Sequence, residues 1–133
     1  MQPPAFFRRT YDETMDLMVE ARNYMSYVER RERERAGAFA GLRMSCEAMR
    51  VTSRLTQVMA WLLMQRAVHE GELSVEQTLA DSCRISGADV CLDESHSSDE
   101  ALPNGLRSLL DRSHRLYVRI TRLEQMMAQR VLH

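Results

Sequence analysis

From Glu47 to Leu73 the chain reads EAMRVTSRLTQVMAWLLMQRAVHEGEL, with no proline and no glycine before Gly71. Extended back to Met44, an apolar seam runs through Met44, Ala48, Val51, Leu55, Val58 and Leu62. A second runs through Met49, Thr52, Thr56, Met59 and Leu63. Both advance in steps of three and four, the spacing that keeps side chains on one side of an α-helix. Two such seams side by side predict a helix that touches two neighbours at once, the middle element of a helical bundle.

The length of 133 residues predicts one domain, large enough to bury a core without disulfide or metal staples. The longest apolar run, Val58 to Met64, is far short of the ~20 residues that span a bilayer. The N-terminal MQPPAFFRRTYDET carries no apolar signal region, so the expected location is cytoplasmic and no membrane partner is expected. All 18 basic residues are arginines, each a planar fork suited to pairing with carboxylates. Against 19 acids they leave a net charge of −1, without the basic excess of a nucleic-acid-binding domain. Cys46, Cys83 and Cys91 are odd in number and read as free thiols. Their intervals, even with His96 added, match no zinc signature, so no metal is assigned.

Thr10-Tyr11-Asp12-Glu13 has the form of a capping box and predicts the start of a first helix over about 10–35. Leu17, Met18, Ala21, Met25 and Val28 form its apolar stripe, with Tyr24 beside it. The run ERRERER from Glu29 to Arg35 continues it as a charged, solvated extension. AGAFAG, with Gly37 and Gly41, marks the break before a second helix over about 38–71, with Gly71 as its C-cap. Ser74-Val75-Glu76-Gln77 is a second capping box and opens a short helix over about 74–82. The segment 86–105 has five acids, four serines and no arginine, and predicts a mobile acidic crossover over about 86–104. A last helix over about 105–131 presents Leu106, Leu110, Ser113, Tyr117, Ile120 and Met127, widened by Leu109, Leu116 and Leu123. The expected fold is all-α, an up-down-up three-helix bundle with one long acidic crossover.

Chemistry-bearing patterns are missing from the sequence. It has no glycine-rich phosphate loop, no H-E-x-x-H, no C-x-x-C and no G-x-S-x-G. None of the four histidines has a placed carboxylate or thiol, so no general base and no cofactor are assigned. What remains is surface. The third face of the second helix reads Arg43, Glu47, Arg50, Arg54, Gln57, Trp61, Met64. Arginine and tryptophan are enriched at the energetic centres of interfaces, so Arg50, Arg54, Trp61 and Arg66 are the candidate protein-binding residues. Glu29, Arg30, Arg31 and Arg33 form a second candidate set. Cys46, Ser53, Ala60 and Ala67 recur every seven positions and would admit a closely packed helix from this chain or from a second copy.

The run AMRVTSRLTQVMAWLLMQRAVHEGELS resembles the regulator-of-CtrA-degradation (RcdA) family of alphaproteobacteria. TMDLMVEARNYM in the first helix, the LP before the third, and LRSLLDRSHRLYVRITRLE within it agree, so the resemblance spans about Thr14 to Glu124. It implies a dimeric three-helix bundle without catalytic activity. It implies an adaptor that tethers cargo, or a further adaptor, to a ClpXP protease already primed by a response-regulator-type adaptor, so the expected partners are the ClpX unfoldase, that adaptor and cell-cycle cargo. The family's better-known member continues into a flexible tail, whereas this chain stops at His133, almost flush with the last helix. The alternative reading is a dimeric transcription-associated or signalling scaffold with no protease partnership.

Overall fold

The computed structural model describes residues 5–78, 85, 91 and 102–132. The described residues are helical, without a strand: α1 (Ala5–Tyr24), a π-helical turn (Met25–Glu29), α2 (Arg30–Ala36), α3 (Ala38–His69), α4 (Val75–Thr78) and α5 (Asn104–Leu132). The chain is all-α. Most of the acidic stretch 86–104, together with Cys83 and His96, lies outside the described residues.

α1 starts at Ala5, not at the Thr10 capping box. Thr10 is buried inside the helix, and its carbonyl accepts the Thr14 hydroxyl at 2.7 Å. The extra turn has its own packing partner. Phe7 lies edge-on against Trp61 and His69, with ring centroids 5.9 Å apart in both cases. At the other end, the π turn inserts one residue into the helical register and rotates the face that follows it. Val28, expected in the core stripe, is therefore exposed, and Glu29 is turned inward instead. The same rotation lets the Tyr24 hydroxyl donate to Glu32 Oε2 at 2.8 Å.

A single residue, Gly37, joins α2 to α3. Its φ of 89° is in the region that a side chain disfavours. Gly41 lies within α3 and serves close approach rather than reversal: a Cβ there would sit 2.7 Å from Arg33 Cγ. Beyond α3, Gly71 (φ 78°) ends the helix, its N–H donating to the Val68 carbonyl at 3.1 Å. The second capping box is formed in both directions. Gln77 N–H donates to Ser74 Oγ at 3.1 Å and Ser74 N–H to Gln77 Oε1 at 2.8 Å, opening α4.

Helix direction departs from the up-down-up expectation. α1 is antiparallel to α3, because Phe7 meets Trp61 while Met25 receives the Thr52 hydroxyl at its sulfur. α1 is also antiparallel to α5, because Glu20 pairs with Arg112 and Glu13 with Arg119. α3 and α5 therefore run parallel. The stretch 70–103 makes this possible: its extended reach is on the order of 100 Å, against ~48 Å for the 32-residue α3. Three of its residues are seen against the helices. Ile85 N–H donates to Glu124 Oε2 at 2.7 Å, the Cys91 carbonyl accepts from Arg54 Nε at 2.7 Å, and Leu102 is buried just before α5. These contacts climb α5 from its far end towards its start.

The core lies where the three long helices meet. Leu17, Ala21 and Tyr24 come from α1, and Met44, Val51, Leu55, Val58 and Leu62 from α3. α5 adds Leu106, Leu109, Leu110, Leu116, Tyr117 and Ile120. Each fully buried leucine contributes about 1.5–3 kcal/mol. The first seam of α3 and the α5 seam are thus the ones that the packing uses.

Candidate interaction surface

The faces of α3 do not divide as apolar-in and polar-out. Beside the buried seam, the face that reads as polar is also largely interior: Glu47, Arg54, Trp61 and Gln65 are all buried. Arg54 is only 1% exposed. Its Nε donates to the Cys91 carbonyl, and one terminal nitrogen donates to the Leu110 carbonyl at 2.8 Å and to Ser113 Oγ at 3.2 Å. A guanidinium can leave water when its donors are met in this way. Trp61 is 3% exposed, capped by Phe7. These two residues correct the expectation of surface anchors: neither presents an accessible group to a partner, and both hold the fold together.

The other candidates are spread over the surface. Arg50 is half-buried and donates to the buried Glu47 at 3.2 Å. Arg66 is exposed and pairs with Glu70 at 3.1 Å, one turn later. Glu29 is buried, 3.5 Å from Arg33, whose terminal nitrogen also donates to Ser45 Oγ at 3.0 Å. Arg30 pairs with Glu34 at 3.5 Å in full exposure, and Arg31 is exposed. Arg30, Arg31 and Arg66 are thus the candidates that present a cation to solvent, at opposite ends of α3. They do not form one patch.

The second apolar seam of α3 is the converse case. Met49 and Leu63 are exposed, as are Thr52 and Thr56. Thr52 and Thr56, with Met15, Met18 and Val19 of α1 and Met25 of the π turn, border an open apolar groove of about 480 Å³ between α1 and α3. These residues were missed as surface because periodicity assigns every apolar seam to a core. The seven-residue recurrence of small residues on the same side was the signal.

The α1/α5 groove is charged instead. Arg112 grips Glu20 through two nitrogens at 2.7 and 2.5 Å, and Arg119 holds Glu13 at 2.5 Å. The hydrogen bonds from Arg112 hold the Glu20 carboxyl below its ordinary range. Arg115 pairs with Asp111 along α5. Among the described residues no three His, Cys, Asp or Glu side chains gather as a metal site, and no helix is long and apolar enough to cross a membrane.

Among the described residues the chain is an all-helical protein with an open apolar groove between α1 and α3. The family described as "Protein of unknown function (DUF1465)" matches residues 1–133, and the chain belongs to it. Among solved structures, RcdA from Caulobacter crescentus CB15 is similar at 37% identity and a TM-score of 0.75, covering 94% of this chain and 92% of that one. A search of curated proteins finds no match.

Proposed function

We propose that this protein is a non-catalytic adaptor of the RcdA kind, working in the cytoplasm as a homodimeric three-helix bundle. It tethers cargo proteins, or further adaptors, to a ClpXP protease primed by a response-regulator-type adaptor, in regulated cell-cycle proteolysis. The observation that carries this reading is the likeness to the Caulobacter RcdA structure over nearly the whole length of both chains. The surface is compatible with it, since tethering needs contact area and no reacting group. Binding cargo and protease at once raises the local cargo concentration without new chemistry. Arg30, Arg31, Arg33 and Arg66 are the charged residues we assign to partner contact. The acidic segment 86–104 is a second contact element in this reading.

The test is retention of partners on the immobilised full-length chain, from lysate of its own bacterium supplied with ATP. Recovery of the ClpX unfoldase together with response-regulator-like adaptors or cell-cycle factors is the expected result. Recovery of only its own copies, at low and moderate salt alike, sinks the proteolysis role. Recovery of transcription or signalling proteins without ClpX favours the alternative scaffold.

A further inference from the structure

The outer face of α3 carries a heptad repeat that the chain itself leaves unused. Phe39, Cys46, Ser53, Ala60 and Ala67 recur every seven residues. Leu42, Met49, Thr56 and Leu63 recur with the same period, three positions after each of the first four. Together they make the alternating three-and-four spacing of a coiled-coil seam. The large members point to solvent: Phe39 is 86% exposed, Met49 69%, Leu42 65% and Leu63 47%. Four large apolar side chains exposed along one line of a helix, in three of its four repeats, form the kind of patch that marks an interaction site.

We infer that this seam is the interface through which two copies of the chain pair, α3 against α3 in antiparallel orientation. The inference rests on the two-copy reading above and adds which face is used and which way round. The pattern selects its own partner. When the helix is reversed about a two-fold axis between Ser53 and Thr56, three of the four large residues meet a small one, while Phe39 falls opposite Glu70 just past the helix end. Leu42 faces Ala67 of the second copy, Met49 faces Ala60, and Leu63 faces Cys46. A parallel pairing would instead stack small on small at Ala60 and Ala67, leaving voids between layers of Met49 and Leu63. Flanking charge agrees with the antiparallel fit, in which Arg50 lies beside Gln57 of the second copy and Arg43 beside Met64, so no arginine meets an arginine. The seam is isologous, as a closed two-fold dimer requires.

Size is adequate. From Phe39 to Ala67 the helix rises ~42 Å, and a strip ~10 Å wide covers roughly 400 Å² on each copy. The apolar groove borders the same seam at Thr56, and its exposed Met15 and Val19 extend the strip. That carries the contact toward the roughly 800 Å² per partner of a specific interface. A seven-residue repeat drifts ~20° per heptad on a straight helix, so the two helices cross at about +20°.

Two measurements test this. In the first, sedimentation equilibrium of the full chain is compared with Met49→Arg/Leu63→Arg, with circular dichroism as the check on folding. The wild type should be dimeric. The double variant should keep its helicity and raise the dimer dissociation constant by about 100-fold or more. In the second, Leu63→Cys is placed in a Cys83→Ala/Cys91→Ala background and mildly oxidised. A Cys46-to-position-63 cross-link between chains is expected, with none in the background alone. Self-cross-linking of Cys46 in the background would overturn the antiparallel arrangement. A dimer untouched by Met49→Arg/Leu63→Arg would overturn the seam and leave the two-copy reading standing. A wild type that stays monomeric throughout would remove both, while leaving the pull-down to judge the adaptor role.

Discussion

Arg54 of α3 donates its Nε hydrogen to the carbonyl oxygen of Cys91 at 2.7 Å, between residues 37 positions apart. The same guanidinium reaches the Leu110 carbonyl and the Ser113 hydroxyl on α5. One side chain thus ties α3 to α5 and to Cys91 of the connection between them.

Replacing Arg54 by methionine keeps the apolar stem and removes every donor. Charge-assisted hydrogen bonds contribute about 1.5–3 kcal/mol each, and the partners left behind are buried. Arg54→Met should lower the unfolding free energy by about 3 kcal/mol or more in urea titration. Arg54→Lys should recover only part of it, since a point charge cannot aim at two elements. Hydrogen exchange should rise first around residue 91.

Gly105 tests packing against propensity. Alanine in a helix is favoured over glycine by about 1 kcal/mol. Here its Cβ would stand 2.6 Å from Tyr24 Cε2, a ring held on one side by the Glu32 hydrogen bond. Overpacking of this kind costs about 1–3 kcal/mol, so Gly105→Ala should be net destabilising in thermal melts. In the Tyr24→Leu background the same change should become neutral or favourable.

Alkaline pH should weaken the fold through two tyrosines. Burial first, and then the neighbouring Cys91, push the Tyr117 phenol up to about 12. Tyr24 is raised further, by burial and by its hydrogen bond to Glu32. An unfolded tyrosine ionises near pH 10. The folded chain therefore binds the proton more tightly, and this contribution is complete below pH 10 and lost as pH rises through the folded values. Melting temperatures from pH 9 to 12 should fall, and Tyr117→Phe should fall less steeply over that range.

The Arg112–Glu20 pair should matter far less than its geometry suggests. Both side chains are about half exposed, and such pairs contribute roughly 0–1 kcal/mol. Arg112→Ala should change the urea midpoint only slightly, and less still in high salt. Because the Glu20 carboxyl is depressed in the folded chain, its small contribution holds above the ordinary carboxylate range. It should disappear as pH falls through the lowered value.

Much of the fold is legible in periodicity. The seam from Met44 to Leu62 and the α5 seam around Leu110 and Tyr117 are buried as their spacing requires. The direction of α5 is not legible, because the stretch after Gly71 is long enough to reach either end of the bundle. Met49 with Leu63, and Arg54 with Trp61, show where hydropathy misleads: the apolar pair is exposed and the other pair is buried. What decides the burial of Arg54 is a set of carbonyls supplied from positions 91 and 110, and no local pattern announces them. The π turn is equally silent, and it costs the sequence reading one residue of register at Val28. The interaction surface was readable only in part, since the arginines that remain exposed, Arg30, Arg31 and Arg66, do not converge.

The parallel course of α3 and α5 gives the molecule an electrical axis. Both helices end at the pole where α1 begins, so two partial negative charges gather around one partial positive charge. Like-directed macrodipoles side by side repel, and the sequence answers at that pole with cations: Arg66 in the last turn of α3, and Arg130 in the last turn of α5. At the opposite pole two helix starts leave a positive end, turned towards the same side as the Gly37 hairpin.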